Sequence, residues 1–323
     1  MKRILLGLVA VLAVGCQRLP EAAPHTAYVS NEESNVIHVI DGASATKVAD
    51  IPVGARPRGL GLSPDGRTLY VAASNDNRID VVDLASRKVV RQLTSGPDPE
   101  RFAVSPDGRM LYIANEDDAK VSFLDIAANQ IVRETDVGAE PEGMGISPDG
   151  RWVICTSEAA SLVHFIDART GELVESAMVG TRPRDVLFTD GGRRLWVSSE
   201  ARATLTVFDM ATRKPIAVVD LAEGDAPKNV QSIDMRASPD GSKVYVALGR
   251  GNHVAEIDAK SFKVLRLARS GFRNWGLGIS PDGKRLYAAS GLSGDVAVID
   301  TASMKRIKVI KTGGKPWGVV VTP

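Results

Sequence analysis

The stretch Ser63-Pro64-Asp65-Gly66-Arg67 decides the fold, because the chain keeps returning to it. SPDGR recurs at Ser105 and Ser147, TDGGR stands at Thr189, SPDGS at Ser238 and SPDGK at Ser280. Successive copies lie 42, 42, 42, 49 and 42 residues apart, and one further step of 42 reaches Thr322-Pro323. Within the stretch, Pro presets φ for a tight turn and Gly supplies the positive φ that closes it. The apolar Leu69-Tyr70-Val71 that follows recurs as Leu111-Tyr112-Ile113, Leu195-Trp196-Val197, Val244-Tyr245-Val246 and Leu286-Tyr287-Ala288. A run ending in Asp recurs at Asp41, Asp83, Asp125, Asp167, Asp209, Asp258 and Asp300, which makes seven copies. A fixed period of this size marks a repeat architecture.

One copy contains four short strands. Residues 59–62 enter the SPDG turn, 68–72 leave it, 78–83 alternate apolar and polar side chains, and 88–93 close the unit. No helical period intervenes. This predicts an all-β, seven-bladed β-propeller of four-stranded blades spanning residues 27–323. The chain enters on a second strand, Ala27-Tyr28-Val29, and stops after a first strand, Trp317-Gly318-Val319-Val320-Val321. The C-terminal strand is therefore expected to complete the N-terminal blade and leave no open seam.

The 323 residues carry a formal charge of +1 with 24% charged residues, which speaks against a nucleic-acid binder. Lys2 and Arg3 precede an apolar run, residues 4–14, too short to span a bilayer and of the form of a secretory signal. Residues 1–15 are read as a signal peptide. Leu12-Ala13-Val14-Gly15-Cys16 resembles a bacterial lipobox, which makes Cys16 the lipidation site and residues 16–26 a short linker. Gln17 after the Cys resembles the outer-membrane-sorted kind. Cys155, on an apolar strand, is expected to be a buried small hydrophobe, and no CxxC or CxxCH motif is present.

Ala27-Tyr28-Val29-Ser30-Asn31, residues 36–41 and residues 70–83 resemble the YVTN β-propeller repeat. The exported N-terminus, the AYVSNEESN opening and the SPDGR turns further resemble the branch that accompanies pyrroloquinoline quinone (PQQ)-dependent alcohol catabolism. That resemblance implies a periplasmic partner, such as a PQQ-dependent dehydrogenase system, and not a particular reaction.

Function on a propeller sits on loops. The loops entering the first strand and those joining the second and third share one face, the channel mouth. Aligned copies place Arg56 and Arg58, Arg182 and Arg184, Gln231, Arg273 and Trp275, and Lys315 and Trp317 around this mouth. Two neighbouring copies instead bring Asp98, Glu100, Glu116, Glu140, Glu142 and Glu158. Either these charges pair in solvent, or the mouth is polarised. In the second case an acidic arc attracts a cation or basic partner, and a basic, Trp-bearing arc takes an anionic or aromatic ligand. Glu100 and Glu142, read as loop residues, are expected to tolerate reversal to Lys. Calcium at Glu100, Glu116, Glu142 and Glu158 is the metal alternative. The seven extra residues of the long copy fall within 221–231, at the same mouth, and offer Lys228, Asn229 and Gln231 to a ligand or partner.

No GxSxG, Walker, HExxH or helix-opening GxGxxG motif occurs, and nothing brings two of the four histidines together. The Trp-bearing repeat of PQQ-binding dehydrogenases is not apparent, so the chain is not expected to hold PQQ or another cofactor. The sequence thus points to an exported, monomeric, lipid-anchored module on the periplasmic side of the envelope. Its expected role is non-catalytic binding or docking, with the membrane touched only through the lipid. A lactonase-type hydrolase and a propeller subunit of an amine-type dehydrogenase are the alternatives.

Overall fold

The computed structural model describes residues 19, 21–224 and 226–322. The signal segment and Cys16 lie outside them. Seven four-stranded antiparallel sheets follow one another around a ring. We number them by their innermost strands: blade I from Pro316–Thr322, II from Pro57–Leu62, III from Pro99–Val104, IV from Pro141–Ile146, V from Pro183–Thr189, VI from Met235–Ala237 and VII from Asn274–Ile279. Three single-turn 3-10 segments are the only helical residues described.

Blade I closes the ring as the chain ends predict. Its inner strand pairs antiparallel with Thr26–Asn31, with Thr322 opposite Thr26 and Val319 opposite Val29. The N-terminal segment adds a clasp on the opposite face: the buried His25 places Nε2 2.6 Å from the Tyr287 hydroxyl of blade VII, and Ala23 N–H donates to Asp282 at 2.8 Å.

The core is seven interblade layers, each made of alternate side chains of two neighbouring sheets. Cys155 lies fully buried in one of them, and burial pushes its thiol pKa up. His38 and His164 hold equivalent places in the third strands of blades I and IV. His38 bridges Asp50 at 2.6 Å and Asn31 at 2.9 Å, and His164 bridges Ser176 at 2.8 Å and Ser157 at 2.9 Å. Each ties three strands of its own blade together, and neither faces the channel.

The SPDG turns stack around the lower face. A Cβ on Gly108 would meet Pro64 at 3.1 Å, and one on Gly283 would meet Pro239 at 2.8 Å. The stack breaks at Gly241, where the preceding copy has Asp190 in place of Pro. Asp190 sits at φ 54°, which the proline ring cannot adopt. A cleft of about 490 Å³ opens there, between Asp190 and Arg194 on one side and Asp240 and Lys260 on the other.

Candidate functional site

One backbone hydrogen bond, repeated in every blade but the long-loop blade VI, builds the channel mouth. The residue after the second strand donates to the residue before the inner strand: Glu32 to Lys315, Ser74 to Arg56, Glu116 to Asp98, Glu158 to Glu140, Glu200 to Arg182 and Gly291 to Arg273, at 2.7–3.2 Å. The accepting residues Arg56, Asp98, Glu140, Arg182 and Arg273 are all left-handed, with φ between 44° and 57°. That conformation costs a non-glycine residue on the order of 1 kcal/mol. The paired loops hold it in place and aim the flanking side chains at one ring.

On that ring the acidic and basic residues interleave. Arg56 donates to both Asp98 oxygens at 2.9 Å and lies 3.4 Å from Glu100. Arg58 donates to Glu32 at 2.5 Å and pairs with Glu100. Arg184 pairs with Glu142 at 2.7 Å, with Glu158, and with Glu200 at 3.7 Å, while Arg182 reaches Glu158 at 2.5 Å. The arcs read from the sequence therefore face each other across blade boundaries, II with III and IV with V.

The expectation that Glu100 and Glu142 are loop residues is corrected. Each is the second residue of an inner strand, at 0% and 2% exposure. Burial, then the charge of Glu142, raises the Glu100 carboxyl well above its ordinary value against the pull of Arg58. Burial also opposes ionisation of Glu142, but Arg184, Arg58 and Arg101 outweigh it and hold its pKa low. Glu158 is lifted to about 8 by burial and by Glu142.

Below the ring the channel is crossed by charge. In the aligned copies one inner-strand position reads Gly59, Arg101, Gly143, Asp185, Asp234, Gly276 and Gly318. The glycines let neighbouring strands close up; a Cβ on Gly59 would sit 2.6 Å from the Glu100 carbonyl oxygen. The three exceptions meet on the axis. Arg101 spans from blade III to Asp185 of blade V at 3.2 Å and Asp234 of blade VI at 3.1 Å, and Arg236 joins Asp234 at 3.0 Å. Each carboxylate also accepts a backbone N–H from the next inner strand, Met235 to Asp185 at 2.8 Å and Leu277 to Asp234 at 2.6 Å. Burial and the Asp234 charge raise Asp185 to about 8, while Arg236 and Arg101 overcome burial and depress Asp234. The sequence reading missed this cluster; the signal was three charged residues in a glycine column.

Trp317 is not an open stacking platform as the sequence reading expected. It is 2% exposed, with the guanidinium groups of Arg101 and Arg58 4.7 and 5.6 Å from its ring centre. Trp275 is half-buried and stacked by Arg273 at 4.1 Å, with Arg184 at 5.4 Å. Gln231, from the long loop, donates to Glu200 at 2.8 Å, and Arg273 lies 3.5 Å from the same oxygen. Lys228, Asn229, Glu140 and Lys315 are exposed. The four carboxylates considered for calcium do not converge: Glu142 and Glu158 turn to Arg184. Glu100 and Glu116 instead join Asp98, with one oxygen from each within 4.8 Å of the others. The Arg56 guanidinium already sits against that trio.

Residues 26–115 and 101–186 match the family described as cytochrome D1 heme domain, and residues 146–303 match the family described as lactonase, 7-bladed beta-propeller. No curated protein matches the chain. Among solved structures, the chain is similar to Kuenenia stuttgartiensis hydrazine synthase, at 22% identity and TM-score 0.77, covering 86% of this chain and 92% of that one. It is also similar to the dihydro-heme d1 dehydrogenase NirN in complex with DHE, at 18% identity and TM-score 0.67, covering 91% and 74%. These likenesses show the propeller fold.

Proposed function

We propose that the chain is a non-catalytic binding or docking module of the cell envelope, exported and held by a lipid on Cys16, that serves a periplasmic PQQ-dependent alcohol oxidation system. The observation that carries the non-catalytic reading is the pairing at the mouth and in the channel below it. Glu100, Glu142, Glu158, Asp185 and Asp234 are buried and each lies against an arginine. A general base needs an open approach to the proton it takes, and none of these carboxylates offers one. The AYVSN opening and the lipobox-like segment support the placement and the partner system.

The matched cytochrome D1 heme domain family raises haem as a ligand. Haem iron is held by an axial His, Cys, Met or Tyr. Among the described residues the inner ring of the mouth offers Arg, Glu, Asp, Gln, Lys and Trp. His38 and His164 are spent within their blades, His25 lies on the opposite face, and His253 stands two strands out from the axis with Nδ1 on the Gly251 carbonyl at 2.7 Å. The mouth therefore does not fit axial ligation, and no step is assigned to haem. A lactonase-type, calcium-dependent hydrolase is the second reading, favoured by the matched lactonase family and the Asp98, Glu100, Glu116 trio.

The docking reading is tested by immobilising the full chain and passing over it a purified periplasmic quinoprotein alcohol dehydrogenase. Retention that survives washing and is competed by free chain is expected. Passage of the dehydrogenase at the void volume would remove the proposed partner.

A further inference from the structure

Twelve large hydrophobic side chains are markedly exposed among the described residues. Ten lie on outer strands; Phe272, 64% exposed, and Leu292, 62% exposed, do not. They are neighbours at the mouth edge of blade VII, joined by the Leu292 N–H to the Phe272 carbonyl at 3.0 Å. Their equivalents elsewhere show how unusual the pair is. The Phe272 position holds Ala55, Pro97, Ala139, Thr181, Val230 and Gly314, and the Leu292 position holds Glu33, Asn75, Asp117, Ala159, Ala201 and Arg250. The repeat frame does not require either residue.

The surroundings are basic. Phe272 walls a cleft of about 300 Å³ between blades VI and VII with Arg269, Arg306, Lys311 and Asp295. Asp295 is taken by Lys311 at 2.8 Å, and Arg306 donates to the Ser270 carbonyl at 2.9 Å. No carboxylate of the described residues lies within 4.0 Å of the Arg269 or Arg306 guanidinium. On the channel side, Arg250 follows the Gly249–Asn274 bridge and is likewise without a carboxylate partner. An exposed aromatic beside unpaired arginines is the composition of an interface hot spot. The charge selects the partner, since desolvating these guanidiniums is favourable only against anions.

We propose that this sector of blade VII docks an acidic protein segment that carries an aliphatic or aromatic anchor. The anchor covers Phe272 and Leu292, and its carboxylates meet Arg250, Arg269 and Arg306. This deepens the docking reading and rests on it. It also moves the contact away from the acidic arc, where the mouth arginines already hold Asp98, Glu100, Glu142 and Glu158.

The test is fluorescence anisotropy of the full chain with three labelled peptides: alternating Glu and Leu/Phe, the same with Lys for Glu, and the same with Ser for Leu/Phe. Saturable binding of the first peptide alone is expected. Phe272→Thr with Leu292→Ala, which copy blade V, and separately Arg269→Glu with Arg306→Glu, should each weaken it by roughly tenfold or more. Val90→Ser, on an outer strand, should not. Equal binding by parent and both double variants overturns the proposal. Competition by free benzoate at the peptide's own concentration overturns it in favour of a small-anion pocket, and equal binding to anionic vesicles in favour of a lipid surface. If a double variant melts lower than the parent, the single Phe272→Thr replaces it. Dehydrogenase retention is scored on the same variants: retention unchanged by them removes this surface and leaves the docking reading standing, whereas no retention by the parent removes that reading itself.

Discussion

A chain that ends at Lys315 is expected not to form the closed ring. Deleting 316–323 removes the inner strand of blade I and exposes Thr26–Asn31 as an edge facing the axis. It also removes Trp317 and Val319, both nearly fully buried, each worth roughly 1.5–3 kcal/mol of burial. Arg58 and Arg101 lose the ring they stack on. With the seam opened as well, the loss is comparable to the whole net stability of a domain, roughly 5–15 kcal/mol. The deletion should abolish the cooperative melt by circular dichroism. Placing 316–323 ahead of Thr26 with Asp-Gly-Arg inserted after Pro323, which completes the turn found at 63–67, should restore it, because Thr322 and Thr26 are already paired. A truncated chain that melts like the parent would contradict the closure.

Replacing Arg101 by Met is the second large effect expected. It leaves Asp185 and Asp234 facing each other with Arg236 alone, at 4.0 and 3.0 Å. Breaking a buried pair by removing one partner costs about 3–5 kcal/mol, a fall in Tm on the order of 10 °C. Adding Asp234→Asn should recover much of it, because Asp234 is the carboxylate that Arg101 and Arg236 hold ionised and its amide needs no counter-charge. The pH dependence carries a sign. Burial and Asp234 hold the Asp185 pKa near 8 in the folded chain, above its ordinary 3.8, so the folded state keeps a proton that the unfolded state has released. Glu158, at about 8 from burial and Glu142, behaves alike. Their stabilisation is complete below the unfolded pKa values and is lost as pH rises through the folded ones. Tm should therefore fall between about pH 5 and 8 and level off above that, and Asp185→Asn should flatten the fall. A Tm independent of pH over this window would contradict it.

The blades were legible because each is written locally. An SPDG turn, an apolar strand and a closing Asp recur within 42 residues, so one copy read correctly gives seven. Closure was legible from the two chain ends. The site was legible as a face and not as a set of contacts. Arg101 meets Asp185 and Asp234 from blades far apart in sequence, and no local pattern specifies a pair across the axis. Glu100 and Glu142 read as loop residues because each follows a proline. Here proline is the first residue of the strand, where no ladder N–H is required of it. The glycine column was the available clue: a charge in a position that is otherwise Gly59, Gly143, Gly276 or Gly318 has to find its counter-charge across the channel.

The most direct test of a mouth whose charges hold one another is calorimetric titration of the full chain with Ca²⁺, followed by a panel of lactones while hydrolysis is monitored. The pairing of Asp98 and Glu100 with Arg56 predicts no saturable heat from the metal and no turnover. Saturable calcium binding with lactone hydrolysis, both lost in Asp98→Asn and Glu116→Gln, would contradict the docking module and establish the carboxylate trio as a catalytic centre.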